Sequence, residues 1–248
     1  MVMPSAYGAG TEAMRRSAAL HFSLLRKAGR AHRCSYRKAM ASRGQRNLRG
    51  VEFPIESDIV LTAVHETGHA VISYAAGLGC GEIALTAHLT ARGLYRGTNG
   101  EFGTGLRAGN GVGEALERGE YTPILFANAL LAMAGMVAER KASITLGVKP
   151  NVASGGIGDR AELNDVAKVY VMQDRRRSKS AFAARIWSTV QTAMDDPRIW
   201  KAVLEIADRL TKGLMSAKTR KGKPVRRYAL SGSAAAAIMR RNGVRAGM

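Results

Sequence analysis

The stretch that most limits how this chain can fold is AVHETGHAVISYAAG, residues 63–77. His65 and His69 stand four apart, and nearly everything around them is small or aliphatic. On a helix, positions i and i+4 lie on one face, so the two imidazoles share a side. A helix that is apolar around the rest of its circumference has to be enclosed by other elements. The segment therefore predicts a core helix from Asp58 to Ala76. Pro54 is a breaker ahead of it, Ser57 its N-cap and Gly77 its stop.

The residue types say what such a helix can hold. Two imidazoles on one face suit a tetrahedral zinc ion (Zn2+), and a catalytic zinc needs a third protein ligand plus an open position for water. Glu66 is turned about 100° around the helix from His65. It can take a proton from that water without occupying the metal. The plainer alternative is a pair of half-buried core histidines. Thr67 and Gly68 are small and leave room for a second element to approach. A third ligand has to come from downstream. Position 75, six after His69, is alanine, which excludes the histidine arrangement of the metzincins. His88 falls on an expected strand, where a core or exposed role suits it better. Glu139, Asp159, Glu162 and Asp165 remain, and Asp159 by itself reads as a helix N-cap.

The rest of the chain reads as mainly α with a small β element. Glu82 to Thr90 alternates as a short strand, and the glycine-rich run from Gly93 to Gly113 reads as loop. Pro123 opens an apolar helix ending near Lys141, too short and alanine-rich to span a bilayer. After the loop VASGGIGD, Asp159 starts a helix running to about Gln173, and RRRSKS punctuates. Asp196 then caps a helix with Pro197 at its first position. Ile199, Val203, Ile206 and Leu210 form its buried stripe, and Gly213 is its expected end. LSGSAAAAIMRR reads as a last short helix. With 248 residues, 46% of them hydrophobic, the chain can bury a real core. The expected organisation is a basic arm over residues 1–50 and one domain over 51–248 with a basic tail.

Charge narrows the choice of partners. Against 19 Asp+Glu stand 38 Lys+Arg, a formal net charge of +19, which suits polyanions such as nucleic acid, or acidic surfaces. Aromatic residues make up only 6%, however, and no base-reading motif is present. Residues 1–50 hold a single acid, Glu12, and read as a solvated basic arm, with organelle targeting as the alternative. Cys34 and Cys80 are too few for a disulfide framework. They read as free thiols in a reducing, cytoplasmic setting.

Three segments taken in order, AVHETGHAVISYAAG, LLAMAGMVAERKASITLG and SGGIGDRAELNDVAKVYVM, resemble the peptidase domain of FtsH-type zinc proteases. That family runs a buried HEAGHA helix, a short strand with a glycine-containing loop, an LLGGRAAEE-like helix and a TGASND segment. The final aspartate of that last segment is its third zinc ligand. The resemblance implies Zn2+ held by His65, His69 and Asp159, with Glu66 as general base. Leu163, Val166 and Ala167 continue the apolar register that follows the family's aspartate. Glu139 matches a helix glutamate and is expected to support the ligands from outside. The match covers Asp58 to Gln173 and continues more weakly through AVLEIADRLTKG and ALSGSAAAAIM. Thr67 replaces the usual alanine, Gly158 replaces the asparagine before the aspartate, and TNGEFGTGLRAGNG is unlike the family's loop.

FtsH proteases also carry a membrane-spanning segment and an ATPase module ahead of the peptidase. No G-x-x-x-x-G-K-[ST] and no span occur in these residues. The resemblance thus implies an ATP-independent zinc metalloendopeptidase acting on unfolded or flexible polypeptides. A separate ATPase partner could supply unfolding, and the family's rings imply a homo-oligomer. In the family the strand beside the site can hold substrate by β-augmentation, and Ile83 to Thr90 is the matching segment. The competing expectation is a basic nucleic-acid-binding protein whose metal site is structural or vestigial.

Overall fold

The fold is organised around the helix that carries the two histidines. In the computed structural model, which describes residues 54–89, 95–103, 121–146, 156–172, 178–219 and 225–247, this helix is α1, Pro54–Ala75. It begins earlier than Asp58, so Ser57 lies within its first turn and does not cap it. Proline is tolerated at a first helical position because its missing N–H has no intrahelical partner there. The end is as expected. Gly77 adopts φ +77, and the N–H groups of Gly77 and Leu78 donate to the carbonyls of Tyr74 and Ser73. That pair of bonds satisfies carbonyls the last turn leaves open.

The remaining elements are β1 (Ile83–Leu89), β2 (Tyr95–Phe102), α2 (Tyr121–Leu146), α3 (Ile157–Met172), α4 (Lys179–Met194), α5 (Pro197–Ser216), β3 (Val225–Leu230) and α6 (Gly232–Arg241). The protein is therefore mainly α with a small antiparallel sheet of order β2-β1-β3. Helix α1 packs against α2, α5 and β2, while α2 also carries α3 and α4. Ala63, Val64, Ala70, Val71 and Ile72 of α1 are all buried in one core with Ile83 and Leu85 of β1 and Trp200, Val203 and Ile206 of α5. Each fully buried valine, leucine or isoleucine contributes roughly 1.5–3 kcal/mol. The enclosure predicted by α1's composition is thus met by two helices and a strand.

Several elements differ from the sequence expectation. The run Gly93 to Gly113, read as loop, contains β2, whose ladder with β1 runs from Ile83 opposite Phe102 to Leu89 opposite Tyr95. Pairing, not composition, makes this glycine-containing segment a strand. Helix α2 starts before Pro123 and runs beyond Lys141 to Leu146. Helix α4, with Ser178 accepting from Ala181 N–H as its N-cap, and strand β3, inside the basic tail, were not anticipated. Helix α5 has the expected Asp196 cap and Pro197 start, but it runs through Gly213 to Ser216. Gly213 lies where the Tyr228 ring of β3 leaves no space for a Cβ. It is a contact glycine, not a stop. The arm over residues 1–50, with Cys34, lies outside the described residues. Among the described residues Cys80 is a free thiol, and no helix is long and apolar enough to cross a membrane.

Candidate metal centre

Three chain segments meet at one buried point. His65 and His69 project from the same side of α1, with ring centroids 4.8 Å apart. Asp159, in the first turn of α3, reaches them from the other side. Its Oδ2 lies 2.8 Å from His65 Nε2 and 3.4 Å from His69 Nε2. One ligand atom from each of the three residues lies within 4.8 Å of the others, the spacing at which a single ion can be shared. Both histidines are buried and Asp159 is partly so. Asp159 sits inside the helix, with its carboxylate turned to the histidines, so the N-cap alternative does not describe it.

The outer nitrogens are also committed. His65 Nδ1 is 3.0 Å from Glu139 Oε2, and His69 Nδ1 donates to the Leu131 carbonyl at 2.7 Å. A carbonyl only accepts, so His69 carries a hydrogen on Nδ1 and turns Nε2 to the centre, where it can donate to Asp159 when protonated or would offer its lone pair to an ion when not. Glu139 does the same for His65. Orientation of a metal-binding imidazole by a carboxylate or carbonyl on its far nitrogen is the usual support for such a site.

Leu131, Gly135 and Glu139 follow one another at four-residue intervals, so a single stripe of α2 backs both rings. Gly135 is the middle member. A Cβ there would collide with Nε2 of both histidines. Helix α2 comes this close because Gly68 of α1 faces Ala134 and Ala138, and a Cβ on Gly68 would lie 2.8 Å from the Ala134 carbonyl oxygen. The room anticipated at Thr67 and Gly68 is filled by α2. Thr67 is itself buried, and its hydroxyl donates to the Ala63 carbonyl at 2.7 Å.

Electrostatics fit a cation at this point. Burial alone would lower the His65 pKa, but the bonds to Asp159 and Glu139 outweigh it and push the imidazole up to about 10. Burial would raise Asp159, and the hydrogen bonds from His65 and His69 instead hold it well below the usual carboxylate range. Glu66 has no such hydrogen bonds. Its burial raises the carboxyl pKa against the opposing pull of the two histidines. The donor set of two imidazoles and a carboxylate suits a divalent ion of the first transition row.

The other acidic and histidine candidates lie elsewhere. Glu162 lies one turn beyond Asp159, exposed as a residue but with its carboxyl partly desolvated, which together with the Asp159 charge raises its pKa, and it does not join the group of His65, His69 and Asp159. Asp165 pairs with Lys168 at 2.7 Å. His88 lies on β1, with Nε2 3.2 Å from Asn99 Nδ2. Four contributors escaped the sequence reading: the Leu131 carbonyl, Gly135, Gly100 and Phe102. The Phe102 ring lies parallel to His69, 6.5 Å between centroids and 5° between planes. Only Gly135 left a trace in the sequence, as a glycine in mid-helix where propensity disfavours it.

One implied role is corrected. Strand β1, the segment expected from the resemblance to hold substrate, is hydrogen-bonded to β2 on one side and β3 on the other. A fully paired strand has no edge to offer an incoming peptide. Compared with models of known protein families and with curated proteins, the chain has no match in either.

Proposed function

We propose that this chain is a zinc metalloendopeptidase of the FtsH type, cleaving unfolded or flexible polypeptides without ATP. The observation that carries the reading is the convergence of His65, His69 and Asp159 on one point, with Glu66 beside them on α1. His65 Nε2, His69 Nε2 and an Asp159 carboxylate oxygen would hold the ion. A zinc ion in such a set supplies a water acidified towards a pKa of about 7 and a Lewis acid for the scissile carbonyl. Glu66 does not belong to the ligand set. Its buried carboxylate, with a raised affinity for a proton, takes that proton as water attacks and returns it to the leaving amine. Glu139 and the Leu131 carbonyl hold the two rings so that their Nε2 atoms need not reorganise during the reaction.

With β1 paired on both sides, the substrate-holding role passes to β2, which has one strand neighbour among the described residues. The ATP-independent part of the proposal is supported by the lack of a G-x-x-x-x-G-K-[ST] phosphate-cradling loop among these 248 residues. A ring of copies or a separate ATPase partner would extend the range of substrates to folded proteins. The competing reading is a basic nucleic-acid-binding protein with a structural or vestigial metal, and it draws on the net charge of +19. Glu66 argues against it. A purely structural site gains nothing from a buried carboxylate next to, but outside, its ligands.

The test compares the wild type with Glu66→Gln for zinc content and for cleavage of unfolded casein without nucleotide. Both proteins should hold zinc equally, and hydrolysis should fall by about 10²- to 10⁴-fold in the variant. Equal cleavage by the two would end the peptidase reading. Stimulation of the purified wild type by ATP would end the claim of independence.

A further inference from the structure

We propose that Gly100 on β2 is a positioning residue for the general base. It lacks a side chain so that the strand backbone forms the wall holding the Glu66 carboxylate beside His65 and His69. The inference rests on the metallopeptidase reading above.

Thr98, Gly100 and Phe102 are two apart and share one face of β2. All three meet α1. The Thr98 N–H donates to Asp58 Oδ2 at 3.1 Å, Gly100 abuts Glu66, and Phe102 lies over His69. The strand thus runs alongside the helix, and Gly100 is the point at which it reaches the base. A Cβ on Gly100 would sit 2.6 Å from Glu66 Cδ and 2.5 Å from Oε1, and closer still to Cγ. Atoms do not approach so closely, so something would have to move.

The strand is poorly placed to retreat. Gly100 is paired with Leu85 of β1, and Thr98 is tied to Asp58. Glu66 is the mobile partner, since its side chain can leave for another rotamer. A base works only within about 2.6–3.2 Å of the proton it removes, so a displaced carboxylate is a lost base. Glycine in a strand interior weakens the strand and marks a close approach by something else. Here the approaching group is the base itself.

The experiment measures kcat, KM, zinc content and thermal unfolding for Gly100→Ala, with Glu66→Gln, Glu66→Ala and the Glu66→Ala/Gly100→Ala pair. For Gly100→Ala, zinc content should be unchanged and kcat on a casein-derived peptide should fall by about 100-fold, with KM little altered. The unfolding midpoint should drop when Gly100→Ala is made in the wild type and should not drop when it is made in Glu66→Ala. Equal drops in both backgrounds would show a backbone effect of the strand and overturn the inference. So would full activity of Gly100→Ala beside an inactive Glu66→Gln, which leaves the peptidase reading intact. If Gly100→Ala does not fold, the paired variant decides. Recovery of a folded, zinc-binding chain supports the wall, and failure to recover overturns it. Full activity of Glu66→Gln removes the peptidase reading and the role of Gly100 with it.

Discussion

Glu139 Oε2 and His65 Nδ1 lie 3.0 Å apart, although 74 residues separate them in the chain. The carboxylate thereby fixes which nitrogen of His65 faces Asp159. Glu139→Ala should keep all three ligands yet weaken zinc binding by about 10- to 100-fold, as loss of an orienting partner does. Glu139→Gln, which still offers a carbonyl acceptor, should lose less. Competition against a chelator of known affinity gives both values. Identical affinities for wild type and Glu139→Ala would make the contact incidental.

Gly135→Ala tests the backing helix. The added methyl would enter the space in front of both Nε2 atoms, so zinc binding should be abolished although none of the three candidate ligands is substituted. Alanine is the better helix former by about 1 kcal/mol, so α2 itself should not suffer. Zinc content by mass spectrometry under non-denaturing conditions, with helicity from circular dichroism, reads the two effects separately. Retention of zinc by a fully helical Gly135→Ala would contradict the geometry described here.

Asp159 separates ligand from cap. Asp159→Ala and Asp159→Asn should both lose zinc, because a catalytic ion needs three protein ligands and a neutral amide is a poor substitute for a carboxylate. Asparagine is as good an N-cap as aspartate, so a capping role would leave Asp159→Asn unaffected. Full zinc and full activity in Asp159→Asn would show that the carboxylate is not a ligand.

Asp196 gives a stability prediction remote from the site. Its Oδ1 accepts from the Arg198 N–H at 2.8 Å, capping α5. Burial would raise its carboxyl pKa, but the Arg198 side-chain and backbone hydrogen bonds outweigh it and hold the pKa below the ordinary value. A carboxyl more acidic in the folded state contributes fully above its unfolded pKa of about 3.9 and loses that contribution as pH falls through the lower folded value. Asp196→Ala should therefore cost about 1 kcal/mol at pH 7. The difference from wild type should shrink as the pH is taken below about 4. Urea unfolding at both ends of that range tests it, and a pH-independent difference would refute the cap as its source.

How far the sequence revealed these features depended on whether the signal was local. Helix α5 was legible because its cap, its first-position proline and its stripe lie within a few turns, and the two histidines declared α1 in the same way. Gly213 misled because its reason, the Tyr228 ring, belongs to another element. Strand β2 has neither alternation nor β-branched residues beyond Thr98, and exists through its ladder with β1. Helix α4 does carry a local signature, Ser178 followed by buried Phe182, Ile186 and Val190, but the basic run RRRSKS at its start hides it. At the site, motif and resemblance point to His65, His69 and Asp159, the three residues that converge in the fold. Gly135 and Gly100 act by what they lack, and what each makes room for is visible only once its neighbours are in place.

The stripe of Leu131, Gly135 and Glu139, spaced four apart on α2, ties ion occupancy to the docking of two helices. Both rings rest on α2, and α2 also closes the core over α1, so the helices cannot part without disturbing both imidazoles at once. An ion held by the two rings and Asp159 would rivet α1 to α3 and, through the bonds on the rings' far nitrogens, fix α2 as well, adding to folding stability as the logarithm of its concentration over its dissociation constant. The same coupling makes α2 intolerant of length change. One residue inserted between Leu131 and Glu139 would swing the supporting carboxylate about 100° away from His65, leaving a helix of ordinary appearance and a disarmed site.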